Sequence, residues 1–200
     1  MTIIPESRTL QDVHRILIGA VVPRPIALVS SVSAEGILNL APFSFFNAVC
    51  SDPPVICFAA ARRAGGKKDT LANIESTGEF VVNIVSEDFA ERMNRTAGDY
   101  APGVDEFAVS GLTVVKSELV KPPRVGESRV NFECRLLQNI VVSDRAQGSN
   151  LILGTVVRMH VDDAVLMDGR IDPDRLRAIG RMGGNSYSRT TDRFEIARPK

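Results

Sequence analysis

The chain has 200 residues, 44% hydrophobic and 24% charged. That is an ordinary soluble globular balance, with enough chain for one domain with a sizeable core or one domain with a long arm. Lys plus Arg and Asp plus Glu both number 24, so the formal net charge is zero, which argues against general nucleic-acid or membrane-surface binding and leaves room only for a local basic patch. No stretch approaches the ~20 apolar residues that span a bilayer. The start, Met1-Thr2-Ile3-Ile4-Pro5-Glu6, lacks the basic residues and apolar run of a secretory signal. The cysteines, Cys50, Cys57 and Cys134, stand in apolar contexts such as Val55-Ile56-Cys57-Phe58. They read as buried free thiols of a reducing compartment, hence a cytoplasmic protein.

In chain order, residues 9–18 predict a helix: Thr9 can cap it with Asp12 as its capping-box partner, and Leu10, Val13 and Leu17 share a face. Gly19 is a stop signal, and Pro23-Arg24-Pro25 forces extended chain. Ile26 to Val32 is a strand, Ala34-Glu35-Gly36 a turn, and Ile37 to Ala48 one or two more strands. Asp52-Pro53-Pro54 breaks the pattern before a strand at Val55–Ala59. Residues 61–69 hold two Arg, two Gly and two Lys and read as a loop opening into a short helix at Thr70–Ser76, which Gly78 ends. A strand at Phe80–Val85 and a helix at Glu87–Thr96 follow. Gly98 to Gly111 reads as a surface loop. Leu112–Val120, Arg129–Ser143 and Leu151–Val161 read as β, the last two joined through Gln147-Gly148-Ser149-Asn150. Asp172–Ile179 suits a short helix, and residues 180–200 an arm. About seven strands with few helices point to a barrel or sandwich.

The side chains exclude several chemistries. The only histidines, His14 and His160, lack ligand-spaced neighbours and read as surface or satisfied structural residues, so no metal site is expected. There is no Gly-x-Ser-x-Gly elbow, no Rossmann glycine fingerprint, and Gly65-Gly66-Lys67-Lys68 fails the P-loop spacing. Two regions invite a ligand. Arg62, Arg63, Lys67 and Lys68 precede the Thr70 helix, and cations, a helix N-terminus and a hydroxyl together suit a phosphate, although Asp69 would repel an anion and a solvated basic loop explains the cluster as well. Asn39-Leu40-Ala41-Pro42-Phe43-Ser44-Phe45-Phe46-Asn47 mixes aromatic and polar residues and breaks strand alternation, which suits a flat aromatic ligand or a core segment.

Taken in order, Pro23 to Ser31, Asn39 to Asn47, Ser51-Asp52-Pro53-Pro54, Lys68 to Ile74, Gly78 to Asn83 and Arg181-Met182-Gly183-Gly184-Asn185-Ser186-Tyr187 resemble the flavin reductase-like, FMN-binding split-barrel family of the flavoredoxin type. The resemblance implies a mainly β fold, a six-stranded Greek-key barrel with flanking helices, in a single unit over residues 1–200. It implies a homodimer with FMN held non-covalently at the subunit interface, and electrons taken from NADH or NADPH or passed to a partner such as an oxygenase. The alternative is a flavin carrier or sensor without turnover. The implied cofactor contacts are Arg24, Phe43, Ser44, Phe45, Phe46, Asn47, Ala59, Arg62, Lys68, Asp69, Thr70 and Tyr187, with Cys50 adjoining the segment assigned to the ring. No catalytic residue is expected beyond the cofactor.

Overall fold

The computed structural model describes residues 2–62 and 66–199. Seven strands form one antiparallel sheet: β1 (Ala27–Val32), β2 (Leu38–Phe43), β3 (Phe46–Ser51), β4 (Pro54–Ala61), β5 (Glu79–Ile84), β6 (Val130–Val141) and β7 (Ser149–Val161). Their order across the sheet is β2-β1-β5-β6-β7-β4-β3. The two outermost strands, β2 and β3, are consecutive in the chain, with only Ser44 and Phe45 between them. Six strand spacings laid flat would measure about 29 Å, whereas so short a link reaches only about 10 Å. The sheet therefore curls until its edges meet. β2 and β3 counted as one bent strand give the six strands of the expected barrel. β5 enters between β1 and β6 in the Greek-key manner.

Inside the barrel, Ala27 and Val29 of β1, Phe58 of β4, Phe80 and Val82 of β5 and Ile152 of β7 pack into one core. The Phe43 and Phe58 rings lie 4.8 Å apart and those of Phe58 and Phe80 lie 5.6 Å apart, edge to face. Helix α1 (Leu10–Ala20) stands outside the barrel, while α2 (Asp69–Thr77) supplies Leu71 and Ile74 to this core and ends at Gly78, whose φ of +71° suits glycine. Leu28 and Leu40 face a second core, against α3 (Ala90–Arg95) and α4 (Glu106–Ser110) through Phe89, Met93 and Phe107. Both faces of β1 are covered, so all six of its residues are buried and the sequence does not alternate, with Ser30 and Ser31 buried beside its apolar residues. Gly154 sits where a Cβ would run into the Phe80 ring.

Several elements differ from the sequence reading. Thr9 caps α1 through the Asp12 N–H as expected, but the helix runs through Gly19 to Ala20. Residues 98–111 are not all loop: Asp105 caps the short α4. Leu112–Val120 is not a strand apart from Val114 and Val115. Beyond that short ladder, side chains take several of its N–H groups: Glu133 accepts from Glu118 (2.8 Å) and Leu119 (2.6 Å), and Glu127 accepts from Thr113 (3.0 Å). The tail is part of a small sheet in which Arg24–Pro25 pairs with Ile179–Arg181, and these with Tyr187–Arg189. Of the cysteines only Cys134 is buried, and burial pushes its thiol well above the usual range; Cys57 is half-buried and Cys50 exposed, because β3 is an edge strand. His14 is exposed on α1, and His160 contacts Glu133 through Nε2 at 2.6 Å.

Gly154→Ala should cost about 1–3 kcal/mol through overpacking against Phe80, read as a lower denaturation midpoint with an unchanged m-value. Glu133 gives a second test. Burial works to raise the pKa of its fully enclosed carboxyl, but the Glu118 and Leu119 N–H groups and His160 outweigh burial and hold it below the ordinary value. A folded-state pKa lowered in this way adds stability above the unfolded value of ~4.3 and loses it as pH falls through the folded one. Urea melts at pH 7 and pH 4 should show wild type losing more stability on acidification than Glu133→Gln. Parallel losses would remove Glu133 as the cause.

Candidate functional site

The crossing from β2 to β3 is the seam of the barrel. Pro42 and Phe43 end β2, Ser44 and Phe45 make the turn, and Phe46 and Asn47 begin β3. Phe43 is buried in the core, Phe46 half-buried, and Phe45 is 48% exposed. The Ala59 N–H of β4 donates to the Phe45 carbonyl (2.8 Å), anchoring the turn to the neighbouring strand. Asn47 is exposed, and its Oδ1 accepts from the Ala48 N–H at 2.9 Å. With that carbonyl occupied, the end of the Asn47 amide left for a ligand is the donor, –NH2. The segment thus offers aromatic surface and a donor on the open side of an edge strand.

The second region lies at the far end of β2. Thr70, in the first turn of α2, is 1% exposed and its hydroxyl donates to Asn39 Oδ1 at 2.8 Å. Asn39 in turn donates to the Glu106 carboxylate (2.8 Å), which also accepts from the Leu40 N–H (2.9 Å). The hydroxyl therefore faces inward and docks the helix on β2, which corrects the expectation that it reaches outward to a phosphate. What α2 offers outward is its N-terminal backbone, with Lys68 at the N-cap and Asp69 next, both half-buried. Lys67 pairs with Glu75 at 2.5 Å and serves the surface of the helix. Arg62 is half-buried at the end of β4, its N–H donating to Gly148. Arg63 lies outside the described residues. Asn39 precedes Phe43 by four residues on β2, roughly 13 Å of strand, so the helix start and the aromatic seam are two ends of one stretch.

Arg24 and Tyr187 belong to the small sheet. Arg24 is 4% exposed. Its guanidinium donates to the carbonyls of Ile18 and Val21 (both 2.7 Å), to that of Met182 (3.0 Å) and, through Nε, to Ser44 Oγ (3.4 Å), and it lies 5.9 Å from the Phe45 ring centre. It positions the seam more than it faces solvent. Tyr187 donates its hydroxyl to Asn94 at 3.0 Å and stacks under Arg181 at 4.5 Å. The structure thus brings Arg24, Ser44 and Phe45 together, keeps Lys68, Asp69 and Thr70 at the other end of β2, and leaves Cys50 on exposed β3, three residues past Asn47. Arg181 and Asn94 were missed because they are ordinary charged and polar residues that only the tail's return brings beside the seam.

Residues 18–174 match the family model for the flavin reductase like domain. The chain belongs to the flavin reductase-like family. An uncharacterised protein of Halalkalibacterium halodurans is 38% identical to this member over 100% of this chain and 97% of its own. The crystal structure of nitrilotriacetate monooxygenase component B from Bacillus cereus superposes with a TM-score of 0.94 at 37% identity, covering 98% of each chain. That of Pseudomonas fluorescens 2-nitrobenzoate 2-nitroreductase gives 0.90 at 33%, covering 100% of this chain and 96% of the other. Flavoredoxin of Desulfovibrio vulgaris shares the fold at 24% identity, with a TM-score of 0.77 over 98% and 97% of the chains. This flavin reductase-like chain is accordingly a split barrel, and the neighbours support an enzyme role.

Arg24→Lys tests the positioning role in this flavin reductase-like barrel. One ammonium cannot reproduce a fork that reaches three carbonyls, so the substitution should destabilise by about 1–3 kcal/mol. Amide exchange should quicken at the end of α1 and around Met182. Unchanged protection there would mean that Arg24 does not hold those segments.

Proposed function

We propose that this protein is an FMN-dependent oxidoreductase that accepts hydride from NADH or NADPH and passes electrons to a flavin, an oxygenase or another acceptor, working as a homodimer in the cytoplasm. The observation that carries the proposal is the open seam: a half-exposed Phe45 beside an Asn47 amide whose carbonyl is tied and whose –NH2 is left to donate. The donor set fits a flavin. An aromatic and aliphatic surface suits a flat ring, and the cationic helix start one strand-length away suits a phosphate.

When bound, FMN supplies the hydride-accepting and electron-passing chemistry. The chain's own residues bind and orient. Phe45 and Phe46 offer apolar surface to a ring, and donors at Asn47 favour negative charge at its edge. Lys68, Arg62 and the first N–H groups of α2 hold the anionic end. Residues 43–47 contain no acid or base, so no proton transfer is assigned to them.

The homodimer rests on what one copy leaves uncovered. No residue of α1 is buried although the helix is amphipathic, with Leu10 71% and Leu17 50% exposed. Residues 47–51 of β3 are exposed as well. Patches of this kind mark an interaction surface, and a second copy would also cover the open side of the seam. Sedimentation should give a dimer; a monomer that still holds FMN would refute this part.

Anaerobic addition of one equivalent of NADH to the FMN-loaded protein should bleach the flavin band, and with an acceptor supplied the band should return while many equivalents of NADH are consumed. A flavin that binds but never bleaches makes the protein a carrier or sensor. In titrations of apo-protein, FMN should bind about a hundredfold more tightly than riboflavin if two charge-assisted hydrogen bonds reach the phosphate. Lys68→Ala should lose about tenfold of that preference, and equal binding of both flavins would place the phosphate elsewhere.

A further inference from the structure

Two guanidinium groups face each other across the small sheet without a counter-ion. Arg24 and Arg181 are directly paired residues of the antiparallel strands Arg24–Pro25 and Ile179–Arg181. Like charges directly opposite one another are destabilising. Burial first, and then the Arg181 charge, hold Arg24 below the ordinary guanidinium value. Some other arginines have carboxylate partners, with Arg177 and Arg189 sharing Glu87, Arg193 taking Asp174 and Arg129 taking Asp162, while others such as Arg175 bond a carbonyl. Neither Arg24 nor Arg181 forms an ion pair among the described residues. The N–H groups of Arg24 go to carbonyls and Ser44, whereas Arg181 spends one bond on the Gly184 carbonyl (2.6 Å) and stacks on Tyr187. The rest of the Arg181 fork is uncommitted.

Arg181 lines a hollow of about 160 Å³ together with Pro42, Ser44, Met93, Asn94 and Tyr187. No Asp or Glu lines it. Its walls are an aromatic ring and apolar side chains. Because the Tyr187 hydroxyl donates to Asn94 Oδ1, the free end of the Asn94 amide is –NH2, a second donor beside Arg181. Ser44 belongs to the seam, so an occupant of the hollow abuts the segment assigned to the flavin ring.

We infer that this hollow receives the carboxylate of a small planar molecule, held by Arg181 and Asn94, and thereby selects anionic over neutral reaction partners. This rests on the flavin reading above and adds a substrate class to it. The planar guanidinium fork matches a carboxylate. The size favours a single ring, since drug-sized ligands occupy roughly 300 Å³ or more and a dinucleotide needs more still.

Benzoate and benzamide have nearly the same shape and differ in charge. Titrated into FMN-saturated protein and followed by the flavin spectrum, benzoate should bind about tenfold more tightly or better. Arg181→Gln should bring the ratio near one, and Arg181→Lys should keep part of it; if the Gln variant does not fold, the Lys variant decides. Equal binding of the two probes to wild type, or selectivity that survives Arg181→Gln, overturns the inference. FMN and riboflavin titrations of the same proteins separate the two readings. Failure of wild type to bind FMN removes the cofactor assignment. Intact FMN binding without benzoate preference removes only the carboxylate pocket. If Arg181→Gln abolishes the preference for FMN over riboflavin and leaves the benzoate ratio intact, the guanidinium serves the cofactor and the inference is wrong.

Discussion

A buried guanidinium is costly unless every N–H finds an acceptor. Arg24 places four of its five N–H donors on three backbone carbonyls and a serine hydroxyl, drawn from the end of α1, the tail at Met182 and the seam at Ser44. Those segments are far apart in the chain and are brought to one point by one side chain. The shape of the seam follows: Phe45 is held out from the core beside Arg24, while Phe43 and Phe46 pack inward. A lysine or an apolar residue would leave carbonyls at a helix end without a donor, which explains why the position demands a fork.

The other constraint is closure. Strands that are outermost in the sheet but adjacent in the chain must meet, and the two residues that join them cannot both pair as strand. The seam is therefore the place where the barrel wall turns Phe45 and the polar Asn47 outward. Next to it, α1 and the edge strand β3 leave apolar side chains such as Leu10, Leu17 and Val49 exposed. Fold and site share a cause: what interrupts the ladder is also what presents a ligand-sized surface.

Buried polar groups set the rest of the architecture. Asn39, Thr70 and Glu106 tie α2, β2 and α4 together, and Asn73 donates to Ser31 beside them at 3.1 Å. Glu133 does the same for the segment after α4, giving its backbone acceptors where no strand runs alongside. Each network satisfies its members within the fold, so these polar residues serve structure although they sit close to the elements that carry the site.

Local signals were legible where the determinant was local. Thr9 with Asp12, Gly78 after α2, and the alternating and continuous apolar runs of β1, β5, β6 and β7 marked their elements because capping, positive φ and strand periodicity act within a few residues. The ordered motifs from Pro23 to Tyr187 pointed to the split barrel and to the seam. Leu112–Val120 misled, because its apolar alternation looks like a strand while carboxylates further along the chain, Glu127 and Glu133, accept from its N–H groups. Thr70 misled for the same reason: a hydroxyl at a helix start can face a ligand or the core, and only Asn39 on β2 decides which. The exposure of Cys50 depended on β3 lying at a sheet edge. By itself, then, the sequence determined most of the elements and the barrel class, and it pointed to the segments of the candidate site. The tertiary structure alone decided which side chains those segments spend on holding the fold and which they leave for a ligand, because hydrogen-bond partners and counter-ions are shared across the chain and not along it.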